Sequence, residues 1–211
     1  MPADEFLLLI LAGPSGSGKT TLTQRLLREF PDVTLSISYT TRAPRGSERD
    51  GVEYHFVDRA RFVELVSNGD FLEWAEVHGS LYGTAASQVS RARETHRGVL
   101  FDVDFQGARQ IRASVRNQDV VGVFLLPPSM AELERRLRTR GTDSEEVVAR
   151  RLRKALDEIE HYAIFDYLVV NDSLDRAYDD VRAIVLAERA RRTRRATIAE
   201  TLLRPSRGGL P

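Results

Sequence analysis

The chain has no cysteine. Disulfides and cysteine-ligated zinc are therefore excluded, and the composition fits a reducing cytoplasm. Lysine is nearly absent as well: of 31 basic residues only Lys19 and Lys154 are lysine. Neither sign of charge prevails, because 31 acidic residues balance the basic ones. A net charge of zero does not point to a nucleic acid or a membrane as partner. No apolar run has the length of a membrane helix, about 20 residues. The run at 6–12 follows Asp4 and Glu5, where a signal peptide would carry positive charge, so it reads as a buried strand. The four histidines, His55, His78, His96 and His161, are scattered without metal-ligand spacing.

What is present suits one α/β domain of generous size. The chain has 211 residues, 42% hydrophobic and 29% charged, which is enough apolar material for a real core. Strands are expected at 6–12, 99–103, 120–126 and 167–170, with helices between them. This alternation implies a mostly parallel sheet with helices on both faces; a five-stranded sheet is expected, of which these are four strands. The stretch 34–83 is polar and turn-rich, a helix is expected at about 84–96, and 34–92 reads as an inserted lobe. It has short strands at 35–38, 54–57 and 71–77 and a helix begun by Asp58 and stopped at Asn68-Gly69. The segment 129–162 is helical and arginine-rich, broken at Gly141-Thr142, and reads as a lid. The core is then 1–33, 93–128 and 163–188, with a last helix from about Ser173 to about Arg192. From Arg189 to Pro211 there are seven arginines and one acid, Glu200. This tail is expected to be a disordered, solvated end, the alternative being an arm that contacts RNA or a partner.

Gly13-Pro14-Ser15-Gly16-Ser17-Gly18-Lys19-Thr20 fits the pattern G-x-x-x-x-G-K-S/T between an apolar strand and an amphipathic helix. Glycines let backbone N–H groups converge on a phosphate, and the helix N-terminus adds partial positive charge. Lys19 supplies a compact charge for the β- and γ-phosphates, and the Thr20 hydroxyl faces Mg²⁺. A chain that writes arginine almost everywhere else still places lysine here, where a planar fork would not fit. Asp102 ends the apolar strand at 99–103. Beside a phosphate loop it can hold Mg²⁺ or its water shell; alone it is equally a turn residue.

Two further groups gain meaning only together. Arg42 and Arg45, three apart around Pro44, with Tyr54 beyond, form either a clamp for a second phosphate or a solvated basic loop. Glu73, inside Phe71-Leu72-Glu73-Trp74, is either an acid on an exposed strand face or a half-buried carboxylate. In the second case it accepts from N1–H and the N2 amine of guanine, and it repels adenine, which presents an acceptor at N1.

Taken jointly these residues resemble the guanylate kinase family over about 8–187. The motifs are G-P-S-G-S-G-K-T, S-x-T-T-R-A-P-R, D-G-x-x-Y-x-F from Asp50, F-L-E-W-A, Y-G-T from Tyr82, D-V-D-x-Q-G from Asp102, P-P-S from Pro127, R-G-T from Arg140 and V-N-D from Val170. The phosphate loop alone is common to many families; the combination is specific. The resemblance implies a P-loop fold and transfer of the γ-phosphoryl group of Mg-ATP to GMP and dGMP. It implies that Arg42, Arg45, Tyr54 and Tyr82 hold the GMP phosphate and that Ser38, Glu73, Thr84 and Asp104 hold guanine. Residues 13–20 with Thr21 would hold the ATP phosphates. Thr20 and Asp102 would hold Mg²⁺, directly or through water. Arg136, Arg140 and Arg151 would come from the lid, and Asn171 would lie near adenine. Lys19, Arg42, Asp102, Arg140 and Arg151 would be the catalytic set. Rival readings are a non-catalytic scaffold, a kinase for another small phosphate and a nucleic-acid binder. The complete loop argues against the first, the guanine set against the second and the neutral charge against the third. Partners beyond ATP and GMP are not implied, and the chain is a monomer or a homo-oligomer on this reading.

Overall fold

The computed structural model describes residues 6–77, 79–95, 98–115, 120–139 and 144–207. Its elements in order are β1 (Leu8–Ala12), α1 (Lys19–Glu29), β2 (Val33–Leu35), β3 (Tyr39–Thr40), β4 (His55–Phe56), α2 (Arg59–Ser67), β5 (Phe71–Val77), β6 (Ser80–Ala85) and α3 (Ala86–Glu94). They continue with β7 (Gly98–Phe101), α4 (Phe105–Ser114), β8 (Val120–Leu126), α5 (Met130–Thr139), α6 (Glu145–Ile159), β9 (Tyr167–Val170), α7 (Leu174–Arg189) and α8 (Arg192–Arg207).

Among the described residues, five parallel strands form the main sheet in the order β2-β7-β1-β8-β9. The apolar run is continuous because β1 is covered on both faces. Leu7, Leu9 and Leu11 pack with Leu22 and Leu26 of α1 and Val181 and Val185 of α7. Leu8, Ile10 and Ala12 point the other way, onto Val89 of α3 and Ala108 and Ile111 of α4. The period of two along the strand thus feeds two separate apolar layers. Ile10 is in register with Phe101, so the chain after Ala12 and the chain after Phe101 leave the sheet at the same edge. Ligands of open α/β sheets bind at that edge.

The inserted lobe is a second sheet, β4-β3-β6-β5. Asp58 caps α2 by accepting from the Arg61 N–H at 2.7 Å, as the sequence predicts, and Phe62 of α2 packs on Phe71 at 4.7 Å between centroids. Helices α5 and α6 share a small core of Leu133, Leu137, Val148 and Ala155. The expected break at Gly141-Thr142 lies outside the described residues.

Three features differ from expectation. First, β2 pairs with β7 in the main sheet, so the lobe does not begin at 34; Thr34 and Leu35 belong to the core's edge strand. Second, the lobe has a further strand, β6, which pairs with β3 and β5 and is not among the strands expected there. Gly83 is needed because a Cβ there would lie 3.1 Å from the Glu73 carbonyl oxygen and from Phe62, a close backbone approach of the kind that selects glycine in strands. Third, the segment expected to be disordered forms α8. Arg194 is buried and donates to the Phe6 carbonyl at 2.8 Å. Arg191 pairs with buried Glu188 at 2.9 Å, and Arg189 with Asp32 at 2.7 Å. Composition registers Arg189 and Arg194 as loose charge because their partners, Asp32 and Phe6, are far away in sequence. Among the described residues no helix is long and apolar enough to cross a membrane.

Candidate active site

The glycine loop runs from the end of β1 into α1. At Gly13, φ is +142° and a Cβ would lie 2.3 Å from the Leu125 carbonyl oxygen; at Gly18, φ is +103° and a Cβ would lie 2.3 Å from Asn171 Nδ2. Neither position admits a side chain. Gly18 caps α1, whose first turn carries no acid, so the helix presents unopposed partial positive charge to the loop. The Lys19 ammonium donates to the Gly13 and Pro14 carbonyls, which curls it over the loop. A cavity of about 260 Å³ opens here, lined by Gly13, Ser15, Gly16, Gly18, Lys19, Thr20 and Thr21, with Asp102, Val103, Asp104 and Glu158 opposite. Pro14 and Ser17 complete the loop, the Ser17 N–H donating to the Pro14 carbonyl at 3.1 Å.

Asn171 sits beneath this loop. Its backbone N–H donates to the Leu126 carbonyl at 2.8 Å, and its side-chain amide donates to the Ser17 carbonyl at 2.7 Å. Its own carbonyl accepts from Arg136 at 2.9 Å. Arg136 is aligned by Glu132 at 2.7 Å, whose carboxyl is pulled down to about 2 by hydrogen bonds from Arg135 and Arg136. Asn171, the residue expected near adenine, is thus engaged by the loop and by Arg136. The residue is buried and braces the loop from below, and Arg136 is tied to it.

A second cavity of about 270 Å³ lies on the lobe side, lined by Ser38, Tyr54, Glu73, Ala75, Val77 and Tyr82 and again by Asp102, Val103 and Asp104. Glu73 follows a register shift in β5 and is paired with Thr84 of β6. It is 6% exposed, and Thr84 Oγ1 donates to its Oε1 at 2.6 Å. Burial pushes its carboxyl up to about 7, the Asp104 charge adds to this, and hydrogen bonds from Thr84 oppose it. Gly107 leaves the necessary room, since a Cβ there would be 3.1 Å from Glu73 Oε2. Asp104 caps α4, one oxygen accepting from the N–H groups of Gln106 and Gly107 at 2.9 and 3.0 Å.

Arg42 stands beside the aromatic pair of this cavity. Its guanidinium lies 5.2 Å from the Tyr54 ring centroid, and Tyr54 and Tyr82 are 6.0 Å apart. Hydrogen bonding to Glu48 first, then to Tyr82, holds its proton more firmly than usual. Burial raises the Tyr54 phenol. Arg45 is exposed, its backbone N–H held by Glu48 at 2.7 Å. Tyr39 packs on His55 and Phe71 within the lobe.

Asp102 belongs to both cavities. It is open to the cleft, yet the protein walls around it raise its carboxyl, and Lys19 pulls it back. Thr20 and Thr21 face the same space from the first turn of α1. Among the described residues no cluster of three or more metal-ligating side chains exists. Sequence reasoning missed Glu158. It lies near the end of α6, shielded, 3.6 Å from Lys154, and faces the loop cavity. Burial raises its carboxyl against the pull of Lys154 and Lys19. Only its spacing of four from Lys154 was visible beforehand. Arg151 is partly buried on α6, and Arg140 lies outside the described residues.

Comparison with known proteins follows the same outline. A family model described as guanylate kinase matches residues 6–188. A guanylate kinase of Myxococcus xanthus is 53% identical over 189 residues, covering 89% of this chain and 90% of that one. A guanylate kinase of Rhodospirillum rubrum is 50% identical over 194 residues, covering 92% and 88%. The crystal structure of guanylate kinase from Anaplasma phagocytophilum superposes with a TM-score of 0.72 at 34% identity, covering 90% of this chain and 89% of that one.

Proposed function

The chain belongs to the guanylate kinase family, and on that premise we propose that its two facing cavities seat ATP over the glycine loop and GMP beneath Glu73. It is an ATP:GMP phosphotransferase: a GMP phosphate oxygen attacks the γ-phosphorus, ADP leaves, and GDP forms. The observation that carries the assignment of cavities is their common wall, Asp102-Val103-Asp104. Two ligands on either side of three residues can bring a nucleophile and a γ-phosphoryl group into line.

Such a transfer needs position and charge neutralisation more than covalent help. Lys19, the loop N–H groups and the α1 N-terminus take the ATP phosphates. Arg42 and Arg45, with Tyr54 and Tyr82, take the GMP phosphate. Glu73, with Ser38, Thr84 and Asp104, reads the donor edge of guanine. No strong base is needed, because the attacking phosphate is already an anion. Arg136, Arg140 and Arg151 belong to the lid in this reading. Closure of lid and lobe excludes water, which protects ATP from hydrolysis. Asn171 acts on ATP through the loop it braces.

The donor set suits Mg²⁺. One hydroxyl, Thr20, and one cleft carboxylate, Asp102, without an all-protein cage, match an ion that keeps waters and shares substrate phosphates. When bound, Mg²⁺ offsets charge on the β- and γ-phosphates. A cytoplasmic enzyme of purine nucleotide metabolism fits this chemistry and the lack of cysteine. Supplied with Mg-ATP and GMP, AMP, CMP or UMP separately, the purified protein converts GMP alone. ATP hydrolysis without GMP stays far below the kinase rate; equal rates refute the closure.

A further inference from the structure

We infer that Glu48 is a positioning residue for GMP: it holds the Arg42 fork and the Arg45 turn in the shape that receives the 5′-phosphate. One carboxylate reaches both arginines. Oε1 accepts from Arg42 Nη2 at 2.9 Å, and Oε2 accepts from the Arg45 backbone N–H at 2.7 Å. The Glu48 N–H donates back to the Arg45 carbonyl at 3.0 Å, so the turn 45–48 is closed from both ends. Gly46, at φ +53°, supplies its left-handed residue.

The fork is fixed at a second edge, where Arg42 Nη1 donates to the Ala43 carbonyl at 2.7 Å. A guanidinium carries five donors in one plane, so these contacts orient the plane without exhausting it. The pair is largely shielded, with side chains 12% and 24% exposed, and screening by water is weaker than for an open surface pair. Tyr54 and Tyr82, beside the Arg42 guanidinium, line the cavity on the lobe side, whereas Arg42 and Glu48 both stand outside its wall. The carboxylate holds the guanidinium beside the aromatic wall of that cavity, 5.2 Å from the Tyr54 centroid. A flexible arginine held in its binding pose gives up less freedom when the ligand arrives.

The inference rests on the reading of the lobe-side cavity as the GMP site, and the test separates the two. Glu48→Ala, Glu48→Gln and Arg42→Ala are compared with the parent protein. The measurements are GMP and ATP KM, kcat, and calorimetric affinity for GMP and for guanosine, which lacks the phosphate. Both Glu48 variants weaken GMP binding roughly tenfold, as expected for loss of a charge-assisted support. The change falls on GMP KM rather than kcat, and guanosine affinity and ATP KM hold steady. Unaltered GMP affinity in the Glu48 variants overturns the inference. So does tighter GMP binding, which would make the carboxylate a competitor of the phosphate. Equal weakening of guanosine overturns it too, since the whole lobe would then have changed. If Arg42→Ala also leaves GMP affinity intact, the clamp itself is wrong; if only Arg42→Ala weakens GMP, Glu48 alone is misassigned.

Discussion

Thr84 donates its hydroxyl to the Glu73 carboxylate at 2.6 Å across two antiparallel strands of the lobe. This bond and the Thr84 N–H favour the charged acid, yet burial and Asp104 outweigh them and hold it at about 7. The folded protein therefore binds the Glu73 proton more tightly than the unfolded chain, whose ordinary value is 4.5. Stability from this group is fully present below pH 4.5 and is lost as pH rises through 7. The loss is about 3 kcal/mol, at 1.36 kcal/mol per pKa unit. Denaturant titrations of parent and Glu73→Gln at pH 5 and 8 will show the parent's relative advantage shrinking by that order. Guanosine affinity moves the opposite way and rises toward pH 8, because only the ionised carboxylate accepts from both donors of the base.

Gly107 is the floor under that carboxylate. In Gly107→Ala the new methyl would lie 3.0 Å from Val103 Cβ and 3.1 Å from Glu73 Oε2. Glu73 must shift toward the cavity. GMP KM rises by about tenfold, in line with a lost charge-assisted hydrogen bond of about 1.5 kcal/mol, while ATP KM is preserved. Steady-state kinetics with each substrate varied in turn checks both halves.

Asn171→Ala removes the donor to the buried Ser17 carbonyl and the underside of the loop with it. An unsatisfied buried acceptor costs about 1–3 kcal/mol, to be read from thermal or chemical unfolding. The expected kinetic signature is a raised ATP KM with guanosine affinity unchanged. An adenine contact predicts something else: a change for ATP but not for inorganic triphosphate. Competition by triphosphate therefore distinguishes a brace from a base reader.

The parts of the fold legible in the sequence were those with local causes. The apolar run of β1 needs only period two and two covered faces, and α2 needs only Asp58 at its start. The loop 13–20 could be read residue by residue because each phosphate-binding role demands a particular side chain or the lack of one. What stayed hidden depends on distant partners. The strand through Gly83 has no local signal; its place shows only once Phe62 and Glu73 are seen against it. Glu158 looks like one acid on an amphipathic helix until α6 brings it to the loop cavity. Asn171 was legible as part of the site, but its bond to Ser17 spans 154 positions.

The ordered C-terminal helix makes a prediction of its own. Arg194→Ala removes the donor to the Phe6 carbonyl and a cation 4.0 Å from buried Glu188. Glu188 keeps Arg191 and the Tyr167 hydroxyl, so the main cost is an unsatisfied buried carbonyl at Phe6, about 1–3 kcal/mol. Chemical unfolding will show a loss of that order. Kinetic constants at low temperature remain those of the parent, since Arg194 lines no cavity described here.

Both lysines of the chain converge on one acid: Lys154 lies 3.6 Å from Glu158, and Lys19 shares the loop cavity with it. The protein thus carries its own footprinting labels. A reagent that acylates side-chain amines finds two targets, of which Lys19 lies in the wall of the loop cavity. Intact-mass spectra taken during a nucleotide titration would then report occupancy of that pocket directly, with no engineered tag or fluorophore.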